Sequence, residues 1–383
     1  MCSVFRILGI LLATLLASVI GLACSDGPSG PPLPEQNAWT EVTLPDSLPV
    51  SALTSVAFQG LRGLALGSTG SMGAKPDYLL ESNGSDWTMH ALPVDTDDFL
   101  LKVAMNAEGK GVIVGANISG GGSPVVLAER PDWTRVSLPA SNGGLQALAV
   151  DASGTFLATG PGGASVLALT GTADGTWTTE SIPLPGDPQE KSLVDLAYRA
   201  GTWAACGFDD GANGDEDSPF NVVLANDGAG WSLLKGLGCG GCGNREYRAV
   251  AINQQGAILL GGAITDFSAG AQDDYVAFLS LYSPTTGEWT AIVLPHAGDL
   301  DRVNDILVAS NGDVYLACGI DSTTLVHHYS SGVSTIEWSA SDVIIQQLAE
   351  APYGDICAVG SKAPQNSFAP TPFMIRRHLS LLY

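Results

Sequence analysis

The chain is short of positive charge: 16 Lys and Arg stand against 39 Asp and Glu in 383 residues, a formal charge of −23. So few cations cannot neutralise a row of phosphates, which excludes duplex nucleic acid as a partner. Charged residues of either sign make up only 14% of the chain, while hydrophobic residues reach 45%, so disorder over the whole length is excluded as well. Long helical stretches are also lacking, because 47 Gly and 22 Pro punctuate the sequence and would be costly in helix interiors. Short strands joined by turns remain. The motifs of common catalytic sites are missing too. None of the five histidines (His90, His296, His327, His328, His378) stands four residues from another, as a helical zinc site would need, and there is no Gly-x-Ser-x-Gly elbow and no phosphate loop. His327 and His328 alternate on a predicted strand and read as packed or solvated imidazoles.

One long apolar run exists, at the amino terminus. Ile7 to Leu22 holds 16 uncharged residues after the basic start Met1 to Arg6 and before Ala23-Cys24. It is shorter than the ~20 residues of a spanning helix and has a signal peptide's order of regions. Ile20-Gly21-Leu22-Ala23-Cys24 resembles the lipobox of bacterial lipoproteins, with Gly21 where that family usually has Leu. The resemblance implies cleavage before Cys24, a diacylglycerol on its sulfur and a bilayer as partner; plain secretion with cleavage nearby is the alternative. An acyl chain adds ~0.8 kcal/mol of membrane affinity per buried methylene. Ser25 to Gln36 has four prolines and no apolar periodicity, and reads as a semi-extended tether. The expected organisation is a lipoprotein signal over 1–23, a tether over 24–37 and a folded domain over 38–383. The expected location is the bacterial envelope, as an outer-membrane lipoprotein facing the periplasm or the cell surface.

From Trp39 onward the chain repeats. Trp39, Trp87, Trp133, Trp177, Trp231, Trp289 and Trp338 are each followed by Thr or Ser, and five of them continue to Leu-Pro or Ile-Pro. A second marker runs in phase with the first, a small residue followed 10 or 11 positions later by Gly: Ala57/Gly67, Ala104/Gly115, Ala149/Gly160, Ala197/Gly207, Ala251/Gly262, Val308/Gly319 and Ala349/Gly360. Each repeat reads as four short strands, the small residue on the first, the Gly ending the second and the Trp on the fourth. Helix competes only at Asp342 to Ala351, where the marker overrules it. Repeats of about 50 residues with four strands each predict an all-β fold, a seven-bladed β-propeller of four-stranded antiparallel blades. The last repeat lacks a Trp-Thr strand and the chain begins with one, Ala38 to Pro45, so the amino-terminal strand is expected to complete the last blade and remove the exposed edges of a broken ring.

The turns before the Trp strands resemble the Asp-box group of propellers, which includes sialidases and photosystem-assembly-factor-type repeats. The best matches are Ser82-Asn83-Gly84-Ser85-Asp86-Trp87 and Asn226-Asp227-Gly228-Ala229-Gly230-Trp231. The acidic position of that motif is Ser82 or Asn226 here, no Trp-Asp dipeptide is present, and the Phe-Arg-Ile-Pro motif of sialidases is absent. The resemblance implies the blade plan and not a reaction.

Seven cysteines fit an oxidising compartment. Cys2 leaves with the signal and Cys24 is the lipidation candidate. Cys206, Cys318 and Cys357 read as buried single thiols. Cys239 and Cys242, in a glycine-rich connection, read first as a local disulfide and second as a source of a link to Cys206. The acidic run Asp209 to Asp217 offers Asp209, Asn213, Asp215 and Asp217 to calcium, but the bidentate Glu expected at its end is replaced by Phe220. A solvated loop is the favoured reading, and the sequence otherwise asks for no cofactor.

Scarce cations gather where first strands begin. Lys102, Lys191, Arg245, Arg248 and Arg302 lie near Asp195, Tyr247, Asp301, Asn304, Asp305 and Gln346. The expected function is a binding or scaffolding module whose protein or glycan partner meets Arg245, Tyr247, Arg248 and Arg302 at the mouth of the axial channel. The alternative is a glycan-active enzyme, a glycosidase or lyase with axial carboxylates such as Asp195, Asp301 and Asp305. For the anchor, Cys24→Ser is expected to leave an unprocessed precursor or to release a soluble domain; detergent partitioning that the substitution leaves unchanged refutes lipidation.

Overall fold

Strand after strand lacks the in–out alternation of a half-exposed sheet: Arg62–Ser68 is buried at every position after the first, and Ile356–Lys362 over its first five. Such runs belong to sheets covered on both faces. The computed structural model describes residues 38–378, apart from 47, 69–76, 85, 120, 163–165, 183, 185–189, 211–220, 235–244, 267–273, 293, 295–301, 321–322, 331 and 364–369. The signal, Cys24 and the whole tether, together with Asn213, Asp215, Asp217, Cys239, Cys242 and Asp301, lie outside the described residues.

The strands form seven sheets of four antiparallel strands. In blades 1 to 6 the order from the axis outward follows the chain. Their innermost strands are Ala52–Gln59, Asp98–Met105, Ala147–Val150, Glu190–Arg199, Arg245–Ile252 and Arg302–Val308. Blade 7 is built from Val343–Glu350, Ile356–Lys362 and Thr371–Arg377, with Trp39–Glu41 as its outermost strand. Trp39 pairs with Arg377 and Glu41 with Ile375, and the Val42 N–H donates to the Met374 carbonyl at 2.9 Å. The expected ring closure is thus present. Asp342 to Ala351, where helix competed, is strand over Val343–Glu350.

Apolar residues gather into seven clusters, and each lies in the seam between consecutive blades, including blades 7 and 1. This explains the Trp…Leu-Pro pattern. Trp87, Trp133, Trp177, Trp231, Trp289 and Trp39 pack into the seam with the preceding blade. The Leu or Ile before the proline packs into the seam with the following one: Leu92, Leu138, Ile182, Leu294 and Leu44. One outer strand therefore seals two interfaces.

Two markers in blade 6 are out of phase with the others. Tracing partners outward from the axis, Phe58 leads through Gly63 and Ser82 to Trp87, and Ile252 through Ile258 and Tyr282 to Trp289. The same path from Val308 leads through Val314 and Tyr329 to Ser334. Trp338 is on the expected strand but further along. A register shift between Val326 and His327 turns it toward blade 7, where it stacks on Phe373 at 6.0 Å. It thereby does the sealing that Leu-Pro does elsewhere, which is why no Leu-Pro follows it. The glycine marker is also displaced. Residues before the inner-strand irregularity pair with Gly67, Gly115, Gly207, Gly262 and Gly360 in five blades, but Val303 pairs with Cys318, not Gly319. A Cβ at Gly115, Gly207, Gly262 or Gly360 would stand 1.8–2.0 Å from a carbonyl oxygen of the inner strand, so glycine is obligatory there.

Where the other blades carry Trp, blade 6 carries Ser334 on the side of blade 5, and polar groups also line its other seam, the one with blade 7. His327 is fully buried, with Ser334 Oγ 3.3 Å from its Nδ1. His328 lies between Asp313 (3.1 Å) and Glu337 (2.9 Å) and stacks on Tyr315 at 4.8 Å. Arg377 of blade 7 donates to the Tyr315 hydroxyl at 2.5 Å and to Glu337 at 2.8 Å. Both imidazoles are structural, and no metal-binding cluster of His, Cys, Asp or Glu occurs among the described residues. Cys206, Cys318 and Cys357 are buried free thiols, and burial pushes all three upward, Cys357 to about 12.

Deleting residues 38–45 removes the closing strand together with Val42 and Leu44 from the seam of blades 7 and 1. It is expected to lower the Tm, whereas deleting Ser25 to Gln36 leaves it unchanged. Equal melting curves for the two truncations refute a stabilising role for closure.

Candidate functional site

Seven innermost strands crowd around one axis, and six of them relieve the crowding in the same way. The register slips by one residue between Leu53 and Ser55, Leu100 and Lys102, Leu193 and Asp195, Tyr247 and Ala249, Val303 and Asp305, and Ile345 and Gln347. A bulge of this kind leaves one residue unpaired and re-aims its side chain. The unpaired residues are Thr54, Leu101, Val194, Arg248, Asn304 and Gln346. All six line one axial cavity of about 810 Å³, and Gln146 joins them from blade 3. Every blade thus contributes at least one side chain to the wall. Ala116 and Pro161, at or just past the ends of second strands, line it too, so this cavity lies toward the face where inner strands begin.

The wall has two characters. Blades 2 to 4 present Phe99, Leu101, Leu145 and Val194, with Lys102 and Gln146 as the polar groups among them; blades 5, 6, 7 and 1 present Arg248, Asn304, Gln346 and Thr54. Arg248 pairs with Glu246 of its own strand at 2.5 Å. Asn304 Nδ2 donates to the Ile345 carbonyl at 3.3 Å.

The residue after each bulge has a different task. Ser55 Oγ accepts from Val103 N–H (3.0 Å), Asp195 Oδ2 from Val250 N–H (2.8 Å), Asp305 Oδ2 from Leu348 N–H (2.6 Å) and Gln347 Oε1 from Val56 N–H (2.9 Å). In each case the donor belongs to the next blade's inner strand, just past its own bulge, where the ladder has been interrupted. These four side chains form an inter-blade belt. A second axial cavity of about 330 Å³ lies on the far side of it, lined by Asp195, Asp305, Gln347 and the ends of inner strands such as Tyr198 and Ile252. Lys102 is the residue that lines both cavities.

Burial pushes the Asp305 carboxyl up to about 7; the Lys102 ammonium opposes the rise, and Asp195 adds to it. Asp195 is raised for the same first reason, again opposed by Lys102, although it keeps some surface open to the channel.

Of the residues expected to bind, Lys102, Tyr247, Arg248, Asn304 and Gln346 come together at the wide cavity. Asp195 and Asp305 face the narrow one. Tyr247 is only 3% exposed and packs on Phe278 at 5.7 Å, so its ring serves the seam of blades 4 and 5 rather than offering an open face. Arg302 is exposed at the start of its strand and lines neither cavity. The backbone of Arg245 pairs with Ile264, that of Lys191 with Asp209. Thr54, Gln146, Val194 and Gln347 escaped the sequence reading. All but Gln347, which lines the narrow cavity, were nevertheless encoded there, because the wide-cavity residue stands three positions before the small-residue marker in every blade but the displaced blade 6.

An aspartate whose ordinary value is 3.8 rises to about 7 on folding here, so the folded state holds the Asp305 proton more tightly than the unfolded one. Its contribution is fully present below pH ~4 and is lost as pH rises to about 7. Asp305→Asn keeps an oxygen for the Leu348 N–H and removes the charge. The variant is expected to melt higher than wild type at pH 8 and to flatten the decline between pH 4 and 7, as read by Tm across pH. A variant that melts lower at pH 8 refutes the assignment.

No protein-family model matches the sequence, and no curated protein matches it. Solved structures do. YCF48 bound to D1 peptide is 13% identical with a TM-score of 0.57, covering 90% of this chain and 98% of its own. YCF48 from Cyanidioschyzon merolae is 14% identical with a TM-score of 0.59, covering 89% and 99%. The polysaccharide lyase Uly1 is 11% identical with a TM-score of 0.56, covering 85% and 90%. At these identities the likeness is one of fold.

Proposed function

We propose that this protein is a binding module whose partner, a segment of another protein, is received by the wide axial cavity. The observation that carries the reading is the ring of bulge residues: six blades turn one side chain out of the ladder into a single recess that Gln146 of blade 3 completes, and its wall is mostly apolar over blades 2 to 4, apart from Lys102 and Gln146, and rich in amide and guanidinium groups over the rest. A polypeptide offers the matching pair of surfaces, apolar side chains and backbone amides. The likeness to YCF48, solved with a peptide bound, supports a protein partner for this fold. The likeness to a polysaccharide lyase keeps a glycan as the second reading. Against catalysis by Asp195 and Asp305 stands their use as caps of Val250 and Leu348 N–H groups in the narrower cavity. A lipid anchor at Cys24 and a Pro-rich tether would hold the module at a bacterial envelope membrane, facing the periplasm or the cell surface.

Chemical cross-linking in membranes of the source cell tests this. Arg248→Ala and Gln346→Ala are expected to lose the cross-linked partner with the Tm unchanged, since neither side chain belongs to a seam cluster, while Arg302→Ala, outside the cavity, retains it. Loss in Arg302→Ala with retention in the other two moves the site to the rim and refutes the cavity. A cross-linked species that carries glycan instead of protein favours the second reading.

A further inference from the structure

Six residues directly follow the inner-strand bulges: Ser55, Lys102, Asp195, Ala249, Asp305 and Gln347. Four of them cap the next blade, and the two aspartates each serve two donors, Asp195 the N–H groups of Leu196 and Val250, Asp305 those of Ile306 and Leu348. Lys102 can cap nothing, because an ammonium only donates. Nor is a cap needed there, since blade 3, which it precedes, keeps its register without a slip. Among the described residues the Lys102 Nζ has neither a hydrogen bond nor an ion pair. Yet the side chain is half-buried and lines both axial cavities. Ammonium groups drawn into a protein are ordinarily paired, so this one is suited to an acceptor that arrives from outside.

The surrounding charges select that acceptor. Three charged residues line the wide cavity, of which Glu246 and Arg248 pair at 2.5 Å and cancel, leaving Lys102 as the net charge of the wall. On a molecule of −23 this is a local positive spot, and at physiological ionic strength screening limits the repulsion of outlying acids to a range of about 8 Å. A neutral carbonyl would leave the charge uncompensated, whereas a carboxylate compensates it with a charge-assisted hydrogen bond. The geometry points to Lys102 as the residue that reads a carboxylate of the partner segment, gripped at the waist between the two axial cavities. This rests on the binding-module reading above and adds the chemistry the segment carries there, from an acidic side chain or from a chain terminus. Asp195 and Asp305, on the far side of the belt, draw on the same ammonium and so compete with the incoming group.

The test is a ligand-observed NMR titration of the full chain in a non-ionic detergent at pH 8 with three probes: acetyl-Leu-Ala-Leu with a free carboxylate, its amide, and the amide of acetyl-Leu-Glu-Leu. The wild type is expected to bind at least one carboxylate probe about tenfold more tightly than the neutral amide. Preference for the first probe assigns a chain terminus, preference for the third an acidic side chain. Lys102→Met is expected to bind all three alike and Lys102→Arg to restore the preference, with circular dichroism confirming that both are folded. Asp305→Asn is expected to strengthen the preference severalfold, because one competing carboxylate is gone; a lysine with a structural role alone would give no such response. Equal binding of the three probes by the wild type overturns the inference and leaves the binding-module reading standing, as does a preference that survives Lys102→Met. No binding of any probe overturns the inference together with the reading it rests on.

Discussion

Seven strands cannot all run straight into one axis and keep every backbone group paired. The one-residue bulge near the start of the inner strand is the answer that six blades share, and much else follows from it. The bulge interrupts the ladder and frees an N–H; the next side chain of the preceding blade caps that N–H in four of the seam positions. The bulge also expels one side chain per blade, and those side chains make the wall of the cavity. Structural and binding roles thus fall to adjacent residues. Asp195 and Asp305 hold blades together, and their neighbours Val194 and Asn304 face whatever enters.

That adjacency explains how far the sequence could be read. Blade number, strand number and closure were legible because they depend on repetition, and Trp, Leu-Pro, alanine and glycine each recur for a local reason. Trp and Leu fill opposite seams, and glycine yields to a carbonyl oxygen. The exceptions in blade 6 were illegible because Trp338 and Gly319 fall near the expected spacing while a register shift gives them other neighbours. No count of residues reveals a bulge between Val326 and His327.

The candidate site was half legible. Rare cations and amides near the strand starts drew attention to Arg248, Asn304, Gln346 and Lys102. Composition could not separate residues that point to the cavity from those that cap a neighbour, because the two differ by one position and the bulge decides which is which. Tyr247 shows the limit most plainly. As an aromatic among cations it suggested a binding face, yet its partner is Phe278 and its place is a seam.

Closure by the amino-terminal strand carries a consequence for how the molecule is made. Thr40 bonds to Arg376 across 336 positions of chain, so the first strand to leave the ribosome is the last to find its partner. Every seam cluster is shared, and none of the first six blades can finish both of its flanks while it stands at the growing end. Until the final blade is delivered, the nascent chain holds an unpaired strand at one end and an open seam at the other. Both ends must be kept apart from other chains for as long as the last blade is missing.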